Sequence, residues 1–172
     1  MGMGMGLLGK KEVKKLLDSA KSHSTRDALL LALMCKCGLK TSEVANLRVE
    51  DIDLSQEVIE VNNGKFVRRV PISKAMLPII AKFIEERRKD EDFLGEETFV
   101  FSGREGPLTH RQIQKIVKKH ANRSGVGREI SPADLRHAFA IDFIRKTRDL
   151  HALKKTLGFK TLASVERYLG YL

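Results

Sequence analysis

The sequence predicts a mainly α-helical domain carrying one small antiparallel β-sheet, an α+β fold. Over most of the chain, apolar residues recur at helical spacing behind recognisable N-terminal caps. Between Val49 and Ile72 the period switches to that of short strands. The length of 172 residues suits one domain with its own core and is short for two.

The elements follow in order. Met1 to Gly6 alternates Met and Gly and is neither a signal nor a transit peptide; residues 1–9 read as a flexible lead, leaving 10–172 as a single domain. Lys10 to Ser22 is an amphipathic helix with Val13, Leu16 and Leu17 on one face. Ser24 or Thr25 caps a second helix that runs through Cys37 and ends at Gly38. That segment is apolar nearly all round, as a central core helix would be. Thr41 or Ser42 starts a short helix ending near Leu47.

Val49–Asp53, Val58–Val61 and Phe66–Ile72 read as strands, with Asn62-Asn63-Gly64 as the hairpin turn. Ser73 and Pro78 bracket the start of a helix with Leu77, Ile80 and Ile84 at helical spacing. The charged stretch from Glu85 to Glu97 reads as a mobile surface loop, and Thr98 to Phe101 as a small strand or a buried loop. Thr109 to Gln112 has the form of a capping box ahead of the stripe Ile113, Ile116 and Val117. Arg111, Lys115, Lys118 and Asn122 take the opposite face, a basic one that on its own reads as a solvated surface. Ser131 caps the next helix with Pro132 in its first turn, and Leu135, Phe139, Ala140 and Phe143 face inward. Two short helices, 149–156 and 161–169, finish the chain.

Charge narrows the class of partner. Thirty-two Lys and Arg against 22 Asp and Glu leave a net charge of +10, which favours a polyanion through counterion release. No apolar run is long enough to span a bilayer, and with no export signal the expected compartment is the cytoplasm. Cys35 and Cys37 stand two apart inside an apolar helix, so they do not share a face and have no histidines to complete a zinc site. They are expected as reduced, mostly buried thiols.

Four segments carry chemistry when taken together. The first is Cys37-Gly38-Leu39-Lys40-Thr41-Ser42-Glu43-Val44, with Leu47 and Asp51-Ile52-Asp53-Leu54 behind it. The second is Asn63-Gly64-Lys65 leading to Arg69-Val70-Pro71-Ile72. The third is Pro132-Ala133-Asp134-Leu135-Arg136-His137, and the fourth runs from Leu157-Gly158-Phe159 to Tyr168. Each is weak alone; in this order and spacing they resemble the catalytic domain of the tyrosine recombinases, or phage integrases.

The resemblance implies a tyrosine recombinase catalytic-domain-like fold. It also implies a reaction in which a tyrosine hydroxyl attacks a DNA phosphodiester, leaving a 3′-phosphotyrosine and a free 5′-hydroxyl. The phosphotyrosine keeps the bond energy, so no metal, nucleotide or other cofactor is implied. Duplex DNA is the implied partner, with self-association on DNA, no small-molecule substrate and no membrane. Tyr168 is then the nucleophile and Arg136 a phosphate clamp whose planar fork suits two oxygens. Lys65 protonates the leaving 5′-oxygen, and Lys40 stands where the family has its first arginine.

Three of the six expected side chains differ. Lys40 keeps the charge but loses the fork. Ala133 replaces a histidine or lysine and can neither take nor give a proton. Phe159 replaces a histidine or tryptophan and has no donor. His137 follows Arg136 by about 100° around the helix and is expected to point elsewhere; in the family that the chain resembles, a histidine there is usual and structural. Arg136 itself has a plainer alternative, a helix-start salt bridge to Asp134 or a neighbour. The resemblance therefore implies a recombinase slowed by these changes, with a DNA-binding module of the same fold that no longer cleaves as the alternative. Family members often begin with a separate DNA-clamping domain and continue into a docking tail, and neither is read in these residues.

Overall fold

The computed structural model describes residues 6–172. The first five residues of the Met-Gly lead lie outside them. Leu8, at the end of that lead, is already buried in the core. The Gly9 N–H donates to Glu12 Oε2 at 2.7 Å, closing the first turn of α1 (Lys10–His23).

Helix α2 (Thr25–Lys36) starts where Ser24 Oγ accepts the Asp27 N–H at 3.1 Å. Leu29, Leu30, Leu31, Leu33 and Met34 are all buried, so every side of it meets protein, as its unbroken apolar run requires. It packs on α1 and on α6 (Pro132–Thr147). Gly38 follows it at φ +70°; a Cβ there would stand 2.4 Å from the Phe139 ring, so only glycine turns the chain at this point. Cys35 and Cys37 are buried free thiols, each pushed up to about 12 by burial.

At the start of α2 lies a buried charge cluster that the sequence did not announce. Asp27 is 1% exposed, and its Oδ2 accepts from Lys119 Nζ at 2.7 Å and meets His120 Nε2 at 2.8 Å. Arg26 adds a third contact. Burial pushes the carboxyl up, but Lys119, His120 and Arg26 outweigh it and hold it down at about 2. The unfolded value is 3.8, so the cluster contributes about 2 kcal/mol that is fully present above pH ~4 and lost as pH falls through about 2. Asp27→Asn is expected to unfold about 2 kcal/mol more easily than wild type at pH 7 in urea titrations. That gap should close as the pH approaches 2; a gap that persisted there would show that charge is not its source.

After α3 (Thr41–Ala45) the predicted strand Val49–Asp53 shortens to β1 (Ile52–Asp53). Residues Val49–Asp51 form a 3-10 turn instead, because the Asp51 carboxylate accepts the Arg48 N–H at 2.8 Å and folds the chain back. β2 (Val58–Asn62) and β3 (Val67–Pro71) complete an antiparallel sheet of order β1-β2-β3, with Val61 opposite Arg68. The hairpin turn sits further along than predicted, with Gly64 and Lys65 at its tip. Asn63 Oδ1 accepts the N–H groups of Lys65 and Phe66 at 3.0 and 3.1 Å, and Gly64 takes φ +83°.

α4 (Leu77–Arg87) runs three residues into the stretch read as a loop. Its last residue, Arg87, is buried and bonds Asp90, Asp92 and Ser102, so the segment is tethered at its root. Thr98–Phe101 is a buried loop touching Arg48 through a single bridge at Phe99. A second, two-stranded hairpin follows, β4 (Ser102–Gly103) with β5 (Gly106–Pro107), too short for any alternation to be read.

α5 (His110–Ser124) begins with the predicted capping box and buries Ile113, Ile116 and Val117. α7 (Leu150–Leu157) packs on α6 and β3. The last predicted helix is split into α8 (Ala163–Glu166) and a 3-10 turn, Arg167–Tyr171. α6 joins two cores: Leu135 and Ala138 belong to the main one, Ala140 and Ile144 to a smaller one with Leu153, Leu157, Val165 and Tyr168. Among the described residues no helix is long and apolar enough to cross a membrane.

Candidate active site

The site forms where the start of α6 meets the end of α7 and the closing 3-10 turn. Ser131 and Asp134 cap α6 reciprocally, the Ser131 N–H donating to Asp134 Oδ2 at 2.7 Å. Asp134 is thereby occupied and is not the partner of Arg136. Arg136 instead donates to Gly38 O at 2.6 Å and Leu157 O at 2.7 Å. Both carbonyls lie at helix C-termini, where the backbone presents unpaired acceptors and partial negative charge. Two of the five guanidinium N–H groups are used in this way. Burial lowers the Arg136 pKa, and the neighbouring Glu43 partly opposes that. The Phe159 ring lies 5.4 Å from its guanidinium carbon, a cation–π contact.

Tyr168 is 2% exposed and belongs to the smaller core. Its hydroxyl has two partners, His137 Nδ1 at 2.7 Å and Arg167 Nη2 at 3.1 Å. The expectation that His137 points elsewhere is therefore overturned. Turning away from Arg136 carries the imidazole toward the closing turn, and the tyrosine is there. Burial lowers the His137 pKa, with Arg167 adding to the effect. Ala133 is exposed, one helical turn before His137.

Beneath this pair runs a buried ion pair that sequence reasoning passed over. Arg68 of β3 donates to both carboxylate oxygens of Glu43, at 2.6 and 2.8 Å, and to Thr156 O at 2.9 Å. Burial pushes the Glu43 carboxyl up, but Arg68, the Lys40 N–H and Arg136 together hold it below the usual range. Gly158 passes directly over Arg68, where a Cβ would stand 3.0 Å from the side chain. Alternation offered the missing signal: Arg68 shares with Val70 the inward face of β3, where a charge requires a partner.

The other predicted residues are not gathered as closely. Lys40 caps α3 with its backbone, its N–H donating to Glu43 Oε2 at 2.8 Å, and its side chain is exposed. Lys65 is exposed at the hairpin tip and makes no side-chain hydrogen bond to Tyr168 or Arg136. Arg111, Lys115 and Lys118 are exposed on α5, Lys118 within 3.7 Å of Glu129.

Known proteins share this arrangement of elements. The chain is 32% identical over 163 residues to the tyrosine recombinase XerA of Thermococcus kodakarensis, covering 94% of this chain and 56% of that protein. It is 32% identical over 153 residues to the tyrosine recombinase XerC of Actinobacillus pleuropneumoniae, covering 88% and 49%. The chain thus spans about half the length of the curated relatives it matches. Among solved structures, XerA recombinase superposes with a TM-score of 0.87 at 23% identity, covering 98% of this chain and 61% of that one. The XerH site-specific recombinase, in a pre-cleavage complex with its difH substrate, superposes with a TM-score of 0.80 at 22% identity, covering 95% and 49%. These two likenesses show the fold. The sequence model of the phage integrase family matches residues 7–171, and the chain accordingly belongs to that family, the tyrosine recombinases.

Proposed function

We propose that this chain is the catalytic domain of a site-specific DNA recombinase that cleaves and rejoins duplex DNA through a 3′-phosphotyrosine at Tyr168. The observation that carries the reading is the Tyr168 hydroxyl held against α6, beside the residue that follows Arg136. The oxygen attacks the phosphorus, the bond to the 5′-oxygen breaks, and Lys65 protonates that leaving oxygen. A second strand's 5′-hydroxyl then reverses the step. Charge builds on the phosphoryl oxygens, and the free N–H groups of Arg136 are the donors that meet it. Lys40 supplies a point charge without a fork. Each donor missing at Lys40, Ala133 and Phe159 costs about 3 kcal/mol in such chemistry, and the losses are not additive, so a slow enzyme is expected. Self-association on the DNA and a cytoplasmic location complete the reading.

A second reading, a DNA-binding module that does not cleave, draws on the burial of Tyr168 and the occupation of its hydroxyl by two partners. Incubation with a nicked duplex that traps the covalent intermediate, followed by a denaturing gel, separates the two. A protein–DNA adduct supports the enzyme, and bound but uncut DNA supports the module.

Both readings require duplex binding, with Arg111, Lys115 and Lys118 of α5 among the contacts. Affinity is expected to fall roughly tenfold or more between 50 and 200 mM salt, and the slope to shrink by about one for each phosphate-contacting lysine changed to alanine. Fluorescence anisotropy with a labelled duplex measures both. A slope that Lys115→Ala and Lys118→Ala leave unaltered removes α5 from the interface.

A further inference from the structure

The family's proton-handling position is empty in this chain at Ala133, yet the Tyr168 hydroxyl is not without a base. His137 lies four residues after Ala133 on α6, so the two share a helix face. Its Nδ1 is 2.7 Å from the Tyr168 oxygen. Arg167 Nη2 is the other partner, at 3.1 Å. A guanidinium can only donate, so the tyrosine oxygen accepts from Arg167 and keeps its own proton for a different partner. Among the described residues, the one within reach is His137.

We propose that His137 is the proton acceptor of the Tyr168 hydroxyl, standing in for the side chain absent at position 133. The proposal rests on the phosphotyrosine reading above. In cleavage the Tyr168 O–H bond breaks and its proton passes to Nδ1, giving an imidazolium. The freed electron pair forms the O–P bond, the bond from phosphorus to the 5′-oxygen breaks, and that oxygen takes a proton from Lys65. On rejoining, the 5′-hydroxyl gives its proton back to Lys65 as its oxygen bonds phosphorus, and the imidazolium returns its proton to the tyrosine as the phosphotyrosine bond breaks. Arg167 stabilises the phenolate through its hydrogen bond and from above the ring, its guanidinium carbon 5.0 Å from the ring centre. Arg136, one residue before His137 on α6, supplies the phosphate clamp of the phosphotyrosine reading.

The role needs a neutral imidazole protonated on Nε2. The charged groups facing the ring are Arg136 and Asp134 on its own helix and Arg167 on the closing turn. Burial and the two arginines favour the neutral form and Asp134 opposes them, with the balance lowering the pKa. Cleavage is therefore expected to be retained at neutral pH and lost in acid, below the usual histidine range.

Two measurements test this. In ¹⁵N-histidine-labelled protein, the Nδ1 of His137 is expected at the shift of an unprotonated acceptor at pH 7; a protonated Nδ1 overturns the proposal whether or not the protein cleaves DNA. In single-turnover cleavage of a nicked duplex, His137→Gln keeps a hydrogen-bond acceptor that cannot take the proton and is expected to be slower by about 10²- to 10⁴-fold. His137→Ala should be equally slow and partly rescued by added imidazole, which a merely structural histidine would not allow. Cleavage by His137→Gln at the wild-type rate with an unchanged acid limb overturns the proposal. If wild-type protein forms no adduct at all, the phosphotyrosine reading fails and the proton transfer with it, and the Nδ1 shift then decides only whether His137 accepts the tyrosine's hydrogen bond.

Discussion

Tyr168→Phe is expected to abolish covalent capture of a nicked duplex, while Tyr171→Phe leaves the adduct in place. The two tyrosines are three residues apart on one 3-10 turn, with ring centres 6.4 Å from each other, so sequence distance separates them poorly. Their surroundings separate them well. The Tyr168 hydroxyl has a histidine and an arginine within hydrogen-bond distance. The turn around Tyr171 is held through its backbone carbonyl, which accepts from Arg145 Nε at 3.0 Å. Removing the Tyr168 oxygen leaves His137 and Arg167 each short of one partner, a cost of about 1–3 kcal/mol. The aromatic ring still fills the smaller core, so the variant should fold and bind DNA as wild type does. Its loss should be confined to chemistry, complete on a denaturing gel. An adduct that survived Tyr168→Phe would sink the assignment of the nucleophile.

Glu43→Gln is expected to cost about 3–5 kcal/mol of stability, because it leaves the Arg68 guanidinium buried without its counter-charge. The two side chains are 9% and 6% exposed and paired at 2.6 Å, so water cannot replace the lost partner. Replacing both together, Glu43→Leu with Arg68→Met, should recover most of the loss, since neither charge is then stranded. What stays lost in the double variant is the cap that Glu43 makes to the Lys40 N–H and the hydrogen bond that Arg68 gives the Thr156 carbonyl, about 1 kcal/mol each. Because the folded carboxyl titrates below its ordinary value of 4.5, this stabilisation is present above that pH and disappears as pH falls through the lowered value. Urea titrations of the three proteins at pH 7 give the comparison. Equal stabilities for the single and the double variant would show that the pair contributes only packing. The single variant should also weaken DNA cleavage, since Arg68 ties β3 to the carbonyl of Thr156, next to the Leu157 carbonyl that holds Arg136.

The elements that the sequence made legible are those with their own local signal. Ser24, Thr109 and Ser131 each place an oxygen at the N–H groups of a helix start, and these three helices begin as read. The strand at Val49–Asp53 failed because a side chain, Asp51, competed for the backbone N–H of Arg48, and apolar alternation carries no record of such competition. The last helix failed at its end for a related reason. Residues 167–171 tighten to 3-10 geometry under contacts with α6 that come from a segment more than twenty residues away.

The site divides in the same way. Residue types at fixed spacings carry the expectation at Arg136 and Tyr168, and the expected departures at Lys40, Ala133 and Phe159 as well. Arg68 was quoted by no motif, and His137 was turned away on helical geometry and on the structural role that the family pattern gives a histidine there. An angle around one helix says where a side chain leaves, not what waits at its end.

By itself, then, the sequence determined the family, the helical frame with its small sheet and the basic charge. These are properties of local spacing and composition, and they survive without knowledge of any long-range contact. Only the tertiary structure decided that Arg136 is pinned by two helix-end carbonyls, that Arg68 and Glu43 neutralise each other beneath it, and that His137 meets the Tyr168 hydroxyl. Each of those contacts joins residues from 21 to 98 positions apart. Such partners are chosen by packing, because a buried polar group must find whichever partner the fold brings within 3 Å.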